Sequence, residues 1–210
     1  IKNPETSTMF IDRFLASTFS YNIETVLLFN KIDQINNEEK KELNNFISIY
    51  KKAGYSCMEI SGKKNINIDK LKKIMINKSC VFSGHSGVGK STLINKLDSS
   101  IDIKTSPISE SNLSGQHTTT FSEMYDLEFN SRIIDTPGIK GFGLYDVKNN
   151  ELRDFFKEFT LVDNCKFNNC LHLQEPGCEV KCRVKKGDIS KSRYNNYVEL
   201  LSEINSNYRY

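Results

Sequence analysis

Tryptophan is absent from this chain of 210 residues, and proline occurs only four times. The chain also lacks any apolar run close to the roughly twenty residues that a membrane-spanning helix needs. Hydrophobic residues nevertheless make up 38% of the sequence, which is too much for a generally disordered chain. The length suits one ordinary domain with a small second domain. We therefore expect a folded protein that has no contact with a membrane.

The chain also has little excess of positive over negative charge, since its formal net charge is only +3. This value is too small to indicate a nucleic-acid partner by itself. Basic residues are dense in one stretch, between Cys178 and Arg193, where only Glu179 and Asp188 are acidic. The basic residues are Lys181, Arg183, Lys185, Lys186, Lys191 and Arg193. Two interpretations stay open, a solvated surface or a patch that contacts phosphate groups beside a metal site.

Hydrophobic periodicity predicts an alternation of strands and helices. Helices are predicted over 8–22, 37–54, 67–76, 90–97 and 190–204. Strands are predicted over 25–30, 56–60 and 79–84, followed by an antiparallel hairpin of 122–129 with 132–136. This alternation is typical of an α/β fold, with a mostly parallel sheet, helices on both faces and ligands at the strand ends. Residues 158–182 have a loop-like composition with a turn at Pro176–Gly177, so we predict domains of 1–156 and 157–210.

The strongest motif is GHSGVGKST, which follows a predicted strand and opens a predicted helix. It comprises Gly84, His85, Ser86, Gly87, Val88, Gly89, Lys90, Ser91 and Thr92. This pattern is a phosphate-binding loop, in which glycines let backbone N–H groups face the phosphates. Lys90 would supply a positive charge to the outer phosphates, and Ser91 a hydroxyl ligand to Mg²⁺. His85 occupies a variable position, and we assign it no chemistry of its own.

A second motif, Asp135-Thr136-Pro137-Gly138, follows a predicted apolar strand. A carboxylate in this position acts on Mg²⁺ in phosphate-loop proteins, usually through water. Gly138 could donate its backbone N–H to the outermost phosphate. A plain turn is the alternative interpretation, and the nearby phosphate loop makes it less attractive.

A third motif, NKID, consists of Asn30, Lys31, Ile32 and Asp33. The Asp33 carboxylate can accept two hydrogen bonds from the Watson–Crick edge of guanine, a pair that adenine cannot offer, which disfavours an ATP-dependent enzyme. Asn30 could bond the base or tie neighbouring loops together, while the stem of Lys31 covers the ring. Ser61 and Gly62, after the next predicted strand, could offer backbone N–H groups to the base carbonyl.

The order of these motifs is unusual, because the base-reading loops precede the phosphate loop. A circular permutation explains this order, since the carboxyl ends of parallel strands share one sheet edge whichever strand comes first. In this order the motifs are "NKID", "SG", "GHSGVGKS", "GQHTTT", "DTPG" and "CKFNNCLHLQEPGC", and the chain resembles the RsgA/YjeQ family along nearly its whole length. The resemblance implies a permuted GTPase that acts in maturation of the bacterial small ribosomal subunit. It also implies an OB-fold domain before residue 1, and the absence of an initial methionine fits this expectation.

The segment GQHTTT resembles the first switch of this family, although an ordinary Ser/Thr-rich loop is the alternative. The resemblance favours Thr119 as the threonine that binds Mg²⁺. Many GTPases orient the attacking water with a glutamine directly after the D-x-x-G glycine, and here that position is Ile139. Hydrolysis by the isolated protein should therefore be slow, and His117 is the best candidate to orient water. The other possibility is that His117 only shapes the loop or contacts the partner.

Four of the six cysteines fall within residues 165–182, together with His172. Clustered cysteines favour a metal site in a reducing compartment over disulfide bonds, with unligated thiols as the alternative. Three thiolates and one imidazole form a usual structural zinc set, and Cys182 makes a fifth candidate ligand. The family pattern selects Cys165, Cys170, His172 and Cys178.

Together the residues and the resemblance imply GTP hydrolysis coupled to late maturation of the small ribosomal subunit and stimulated by that subunit. The expected cofactors are GTP or GDP, Mg²⁺ and one structural Zn²⁺, and the expected partners are the small subunit and its rRNA. We expect a cytoplasmic monomer. The alternative is an RNA- or ribosome-binding module that uses guanine nucleotide as a passive switch, with incidental hydrolysis.

Overall fold

The structure is a computed structural model, and it describes residues 4–101, 103, 123–135, 144 and 147–207. Within these residues the helices are α1 (Thr8–Ser20), α2 (Asn37–Lys52), α3 (Ile68–Met75), α4 (Lys90–Leu97), α5 (Glu179–Lys186) and α6 (Lys191–Asn207). The strands are β1 (Val26–Phe29), β2 (Ser56–Glu59), β3 (Ser79–Phe82), β4 (Glu123–Leu127) and β5 (Ser131–Asp135). Short 3₁₀ turns lie at Ile32–Gln34 and Leu152–Phe155. No described helix has both the length and the apolar character that crossing a membrane requires.

Local side-chain chemistry sets where the first helices begin. Helix α1 starts after Ser7, whose Oγ accepts a hydrogen bond from the Phe10 N–H at 3.2 Å. Before α2, Asn36 Oδ1 accepts from the N–H groups of Glu38 and Glu39 at 3.0 and 2.9 Å. Glu39 in turn accepts from the Asn36 N–H at 3.0 Å. These reciprocal bonds satisfy donors that the first turn of a helix leaves without intrahelical partners.

The described strands form two sheets. One has the order β3-β5-β4, with β3 parallel to β5 and β4 antiparallel to β5, so the predicted hairpin is confirmed. The other pairs β1 with β2. The alternation of these strands with helices confirms the predicted α/β class. β3 and β5 place Phe82 opposite Asp135, so the residues that end the two strands lie side by side.

The chain folds into two compact units, each assembled from separate stretches of sequence. Unit 1 contains residues 28–40 and 58–140 within its bounds, and unit 2 contains 6–27, 41–57 and 141–210. The core of unit 1 joins α3 and α4 to the three-stranded sheet through Leu71, Ile94 and Ile133. The core of unit 2 joins α1 and α6 to the segment that follows Val147. The domain boundary at residue 156 stays a prediction.

Helix α5 begins within residues 158–182, whose composition predicts a loop. Only Val180 of this helix is fully buried, so its hydrophobic periodicity is too weak to reveal it. The helix ends at Gly187, whose positive φ of 81° lets its N–H bond the carbonyls of Arg183 and Val184. The final predicted helix is confirmed by α6.

Candidate nucleotide site and metal centre

The phosphate-loop motif lies between β3 and α4, where a phosphate loop belongs. Gly84, Gly87 and Gly89 all have positive φ values, of 155°, 79° and 96°. Residues with side chains rarely adopt this backbone conformation, so the glycine spacing of the motif has a direct conformational cause. The N-terminus of α4 follows at Lys90, and its partial positive charge suits an anionic ligand.

Asn30 connects the NKID motif to two other loops of unit 1. Its Nδ2 donates to the Val88 carbonyl at 3.0 Å, and its Oδ1 accepts from the Gly62 N–H at 3.2 Å. A Cβ atom added to Gly89 would lie 2.4 Å from Asn30 Nδ2, so the loops approach closely only because Gly89 has no side chain. Of the two predicted uses of Asn30, the structure contains the loop-to-loop ties.

The other residues of NKID also form hydrogen bonds with neighbouring loops of the predicted nucleotide site. Lys31 Nζ donates to the Gly87 carbonyl at 2.7 Å, so its side chain crosses toward the phosphate loop. Burial lowers the pKa of Lys31, and the charge of Asp33 opposes that shift. Asp33 Oδ1 accepts from the Ser61 hydroxyl at 2.5 Å, and Ser61 is fully buried. The Ile32 N–H donates to the Ile60 carbonyl at 3.4 Å, which fixes the turn that presents Asp33.

Lys90 and Asp135 place opposite charges around the phosphate loop. Lys90 Nζ donates to the carbonyls of Gly84 and His85 at 2.8 and 3.1 Å. Burial lowers the pKa of Lys90, and the Asp135 carboxylate opposes that shift. Asp135 ends β5 and is only 2% exposed. Burial, followed by the charge of Lys90, lowers the pKa of His85, which keeps this imidazole neutral.

The other predicted nucleotide and magnesium residues divide into two groups. Ser86 and Val88 lie in the loop, and Ser91 and Thr92 lie in the first turn of α4. His117, Thr119, Gly138 and Ile139 lie outside the described residues. The structure therefore describes the NKID segment and the phosphate-loop motif, while the roles of all these residues, those of the switch included, stay predictions.

The four predicted zinc ligands come together in unit 2. The ligand atoms of Cys165, Cys170, His172 and Cys178 all lie within 4.8 Å of one another. His172 Nδ1 lies 3.7 Å from Cys165 Sγ and 3.4 Å from Cys178 Sγ. In a tetrahedral zinc site with Zn–S distances of about 2.3 Å, neighbouring ligand atoms are about 3.5–3.8 Å apart. The cluster therefore fits one zinc ion, and Cys182 is not part of it.

Groups outside the cluster hold its ligand loop in place. Tyr194 and Tyr197 on α6 donate from their hydroxyls to the carbonyls of His172 and Leu171 at 2.7 and 2.8 Å. Glu175 accepts from the N–H groups of Leu171 and Leu173, each at 2.7 Å. These contacts were not predicted from the sequence, although Tyr194 and Tyr197 lie on the predicted apolar face of the closing helix. Such outer contacts orient metal ligands and contribute to affinity.

Burial disfavours the ionised form of two of the cluster thiols, those of Cys170 and Cys178. It raises the pKa of Cys170 to about 12, and it also raises the pKa of Cys178. Without a metal these thiols stay protonated at neutral pH, and zinc binding releases their protons because thiolates are the ligands. The four ligands leave no position open for a substrate, which suits a structural site.

Arg193 is not the surface cation that the basic stretch of sequence suggested. It is 1% exposed, and its Nη1 donates to Asp12 at 2.5 Å while its Nη2 donates to Glu158 at 2.8 Å. The rings of Tyr50, Tyr55 and Phe156 surround the guanidinium, with centroids 5.1–5.6 Å away. The basic surface near the metal centre is therefore smaller than the sequence indicates.

Comparisons with known proteins agree with this geometry. Residues 1–145 match the model of a family described as RsgA GTPase. The small ribosomal subunit biogenesis GTPase RsgA of Flavobacterium johnsoniae is 52% identical over 210 residues, which are 100% of this chain and 65% of that protein. The protein of the same name in Christiangramia forsetii is 50% identical, with 100% of this chain and 67% of that protein covered. The chain thus spans about two thirds of the length of these relatives.

Solved structures are similar along most of the chain. The crystal structure of YjeQ from Thermotoga maritima has a TM-score of 0.82 and 34% sequence identity, covering 97% of this chain and 68% of that one. The crystal structure of YloQ, a circularly permuted GTPase, has a TM-score of 0.79 and 27% identity, covering 97% of this chain and 65% of that one. A circularly permuted GTPase is thus among the solved structures similar to this chain, which agrees with the circular permutation that its motif order predicts.

Proposed function

The chain belongs to the RsgA GTPase family, and from this membership we propose that it hydrolyses GTP to GDP and phosphate during maturation of the small ribosomal subunit. The observation that carries the proposal is the set of bonds from Asn30 and Lys31 to the phosphate loop. These bonds bring a carboxylate suited to guanine and a loop suited to phosphates into one site. They also favour GTP over ATP as the substrate, because they place Asp33, which can pair with guanine but not with adenine, in the same site as the phosphate loop.

Guanine recognition follows from the position of Asp33. Guanine presents two neighbouring N–H donors, and one ionised carboxylate can accept both of them. The Ser61 hydroxyl donates to Asp33 Oδ1 at 2.5 Å, which holds the carboxylate plane in one orientation. The alkyl stem of Lys31, held by the Gly87 carbonyl, would cover one face of the base. Ser61 and Gly62 would add backbone donors for the base carbonyl.

Phosphate binding follows from the loop and from Lys90. Backbone N–H groups of residues 86–92 would bind the phosphate oxygens, and Lys90 would move from the loop carbonyls to the outer phosphates. Mg²⁺, when bound, neutralises charge that develops on the phosphates. Ser91 and Thr119 would hold this ion directly, and Asp135 through water. Gly138 would donate its N–H to the outermost phosphate.

The isolated protein lacks a side chain at the usual position that could orient the attacking water. Ile139 cannot hydrogen-bond to water at the position where many GTPases have glutamine. We assign the water-orienting role to His117, which closure of the switch on the small subunit would bring to the γ-phosphate. Hydrolysis is then slow alone and fast on the subunit. The competing function, a passive nucleotide switch on RNA, draws its support from the same isoleucine.

Turnover with and without purified small subunits separates these two functions. The proposal expects strong stimulation by the subunit, and His117→Ala should reduce the stimulated rate by about 10²–10⁴-fold while leaving GTP affinity and the basal rate nearly unchanged. Thr8→Ala, at the start of α1 in unit 2, is the matched control. A parent protein that the subunit does not stimulate would support the passive switch. Equal stimulation of parent and His117→Ala would assign the role to another residue.

The metal centre and the thiols complete the proposal. One Zn²⁺ bound by Cys165, Cys170, His172 and Cys178 would hold a segment that has few apolar residues of its own. All six cysteines are free thiols, which suits a reducing compartment. We further propose that the protein acts in the cytoplasm as a monomer, with the small subunit and its rRNA as partners.

A further inference from the structure

The metal-ligand loop carries an exposed aromatic side chain at its tip. Phe167 lies between the ligands Cys165 and Cys170 and is 41% exposed. Lys166, Asn168 and Asn169 beside it are exposed as well. Phe156, Phe159 and Tyr197 are buried in the core of unit 2, whereas Phe167 is not part of that core. The fold of unit 2 therefore gives no packing reason for the position of Phe167.

The backbone around Phe167 is held on both sides. Arg153 Nη1 donates to the carbonyls of Asn168 and Cys170 at 3.0 and 2.9 Å. The Lys166 N–H donates to the Gly177 carbonyl at 3.2 Å, and a Cβ on Gly177 would lie only 3.1 Å from Lys166 Cβ. The tip is therefore ordered before any partner arrives, and binding through it loses little conformational entropy.

The chemistry of the tip matches an unpaired nucleotide. Lys166 Nζ lies over the Phe167 ring, 5.6 Å from its centroid, so a positive charge lies against one face of the aromatic ring. An aromatic face stacks on a base, a nearby cation contacts phosphate, and asparagine amides both donate to and accept from base edges. A protein partner would more often meet a larger apolar patch without a cation beside it.

Helix α5 in the same unit adds positive charge. Lys185 and Lys186 are exposed at its C-terminal end. By contrast, Arg183 pairs with Glu179 at 3.5 Å, and Lys181 Nζ donates to the Leu173 carbonyl at 2.8 Å. Two of the basic residues of this helix are thus used within the fold, and two are available to attract a polyanion.

We propose that Phe167 stacks on an unpaired RNA base while Lys166 contacts the adjoining phosphate. This inference rests on the proposed function, because it specifies how the protein holds RNA of the small subunit. The metal-ligand loop is then an RNA-reading surface as well as a structural support. Stacking tolerates any base, so the tip selects unpaired RNA rather than a sequence.

The absence of tryptophan from the chain makes a direct test possible. Phe167→Trp introduces a single fluorescent indole at the tip, and a base stacked on it quenches its emission. The titrants are a single-stranded RNA 12-mer of mixed sequence and a blunt duplex of the same sequence. We expect quenching by the single strand alone. Tyr21→Trp, at a position 74% exposed at the end of α1, is the matched control and should show no quenching.

Affinity measurements on the full chain give an independent readout. Phe167→Ala should weaken binding of the single strand by about 5- to 150-fold, and Phe167→Tyr should restore it, because base–aromatic stacking tolerates either ring. Lys166→Ala should reduce the slope of log affinity against log salt by about 0.7, the value for one phosphate contact on a single strand. Zinc content and nucleotide affinity of each variant show whether it is folded.

Two results would overturn the inference. One is equal RNA affinity of the parent and Phe167→Ala. The other is a Phe167→Trp protein whose emission purified small subunits quench but single-stranded RNA does not, which would assign the tip to a protein contact. Neither assay uses nucleotide hydrolysis. A parent protein without subunit-stimulated turnover would therefore refute the proposed function while leaving the RNA result readable.

Discussion

Asn30 uses both ends of one side-chain amide on backbone groups, the Val88 carbonyl and the Gly62 N–H. An aspartate would lack the donor, and a glutamine would be one methylene too long for the gap left by Gly89. The NKID loop and the phosphate-loop motif therefore hold each other in position. At the level of single residues, one amide side chain thus links the NKID segment to the phosphate-loop motif.

Nucleotide choice should depend on Asp33. Asp33→Asn replaces one acceptor oxygen by an amide donor, so the guanine edge loses a charged hydrogen bond worth about 1.5–3 kcal/mol. GTP affinity should fall by roughly 10- to 150-fold, and xanthosine triphosphate, which offers an oxygen in that place, should bind better than GTP. Calorimetric titration measures both. Asp69→Asn, on the exposed face of α3, should change neither; an Asp33→Asn protein with parental GTP affinity would contradict the assignment.

At the level of elements, Asp98 fastens the end of α4 to the β4–β5 hairpin. Its Oδ1 accepts from the N–H and hydroxyl of Ser100 at 2.9 and 2.6 Å, and its Oδ2 accepts from the Glu128 N–H at 3.0 Å. The hydroxyl of Ser100 is the main cause that lowers the pKa of Asp98, followed by the Ser100 N–H. The carboxylate thus stabilises the fold only in its ionised form.

This arrangement predicts how stability depends on pH. Because the folded-state pKa lies below the unfolded value, the contribution is complete above about pH 4 and is lost as the pH falls through the folded pKa. At pH 7 Asp98→Asn should melt at a lower temperature than the parent, and the gap should shrink toward about pH 2. Thermal melting followed by circular dichroism measures the gap. Asp126→Asn, whose side chain is 84% exposed, is the control; a gap that stays constant with pH would exclude the ionic role.

Much of this element-level structure follows from the sequence, and the exceptions have physical causes. Glycine spacing and strand context identify the phosphate-loop motif, because they depend on residues close together in the chain. Ligand chemistry gives the candidate metal ligands within residues 165–182, and the family resemblance selects four of them. Helix α5 and the burial of Arg193 depend instead on tertiary contacts. The many basic side chains of α5 leave too few apolar residues for a clear helical periodicity. The partners of Arg193 are Asp12 and Glu158, which are distant from it in the sequence.

At the level of the whole molecule, the buried cluster around Arg193 holds unit 2 together. Arg193→Met would leave two buried carboxylates without their cation, which typically costs about 3–5 kcal/mol. Urea unfolding of the variant should show a loss of this order. Arg132→Met is the matched control, since its ion pair with Asp126 is exposed and worth about 1 kcal/mol or less. Equal losses in the two variants would contradict the structural role of the cluster.

Zinc removal should loosen the C-terminal residues that surround the metal ligands and leave nucleotide binding largely intact. A chelator should increase hydrogen exchange in residues 157–207, which depend on the four ligands, while nucleotide affinity largely persists. Cys178→Ser should lose the metal, and Cys182→Ser, one turn further along α5, should keep one zinc per chain. Metal analysis and hydrogen-exchange mass spectrometry make these measurements. Zinc retained by Cys178→Ser but lost from Cys182→Ser would reverse the ligand assignment.

The separation of Asp12 from Arg193 in the sequence also determines when their ion pair can form during translation. The two residues are 181 positions apart. At a translation rate of about 5–20 residues per second, Arg193 is therefore synthesised roughly 10–35 s after Asp12. During that time α1 has left the ribosome, yet α6, which covers it, has not been made. The face of α1 that packs against α6 therefore stays uncovered during that interval, which gives chaperones time to bind it.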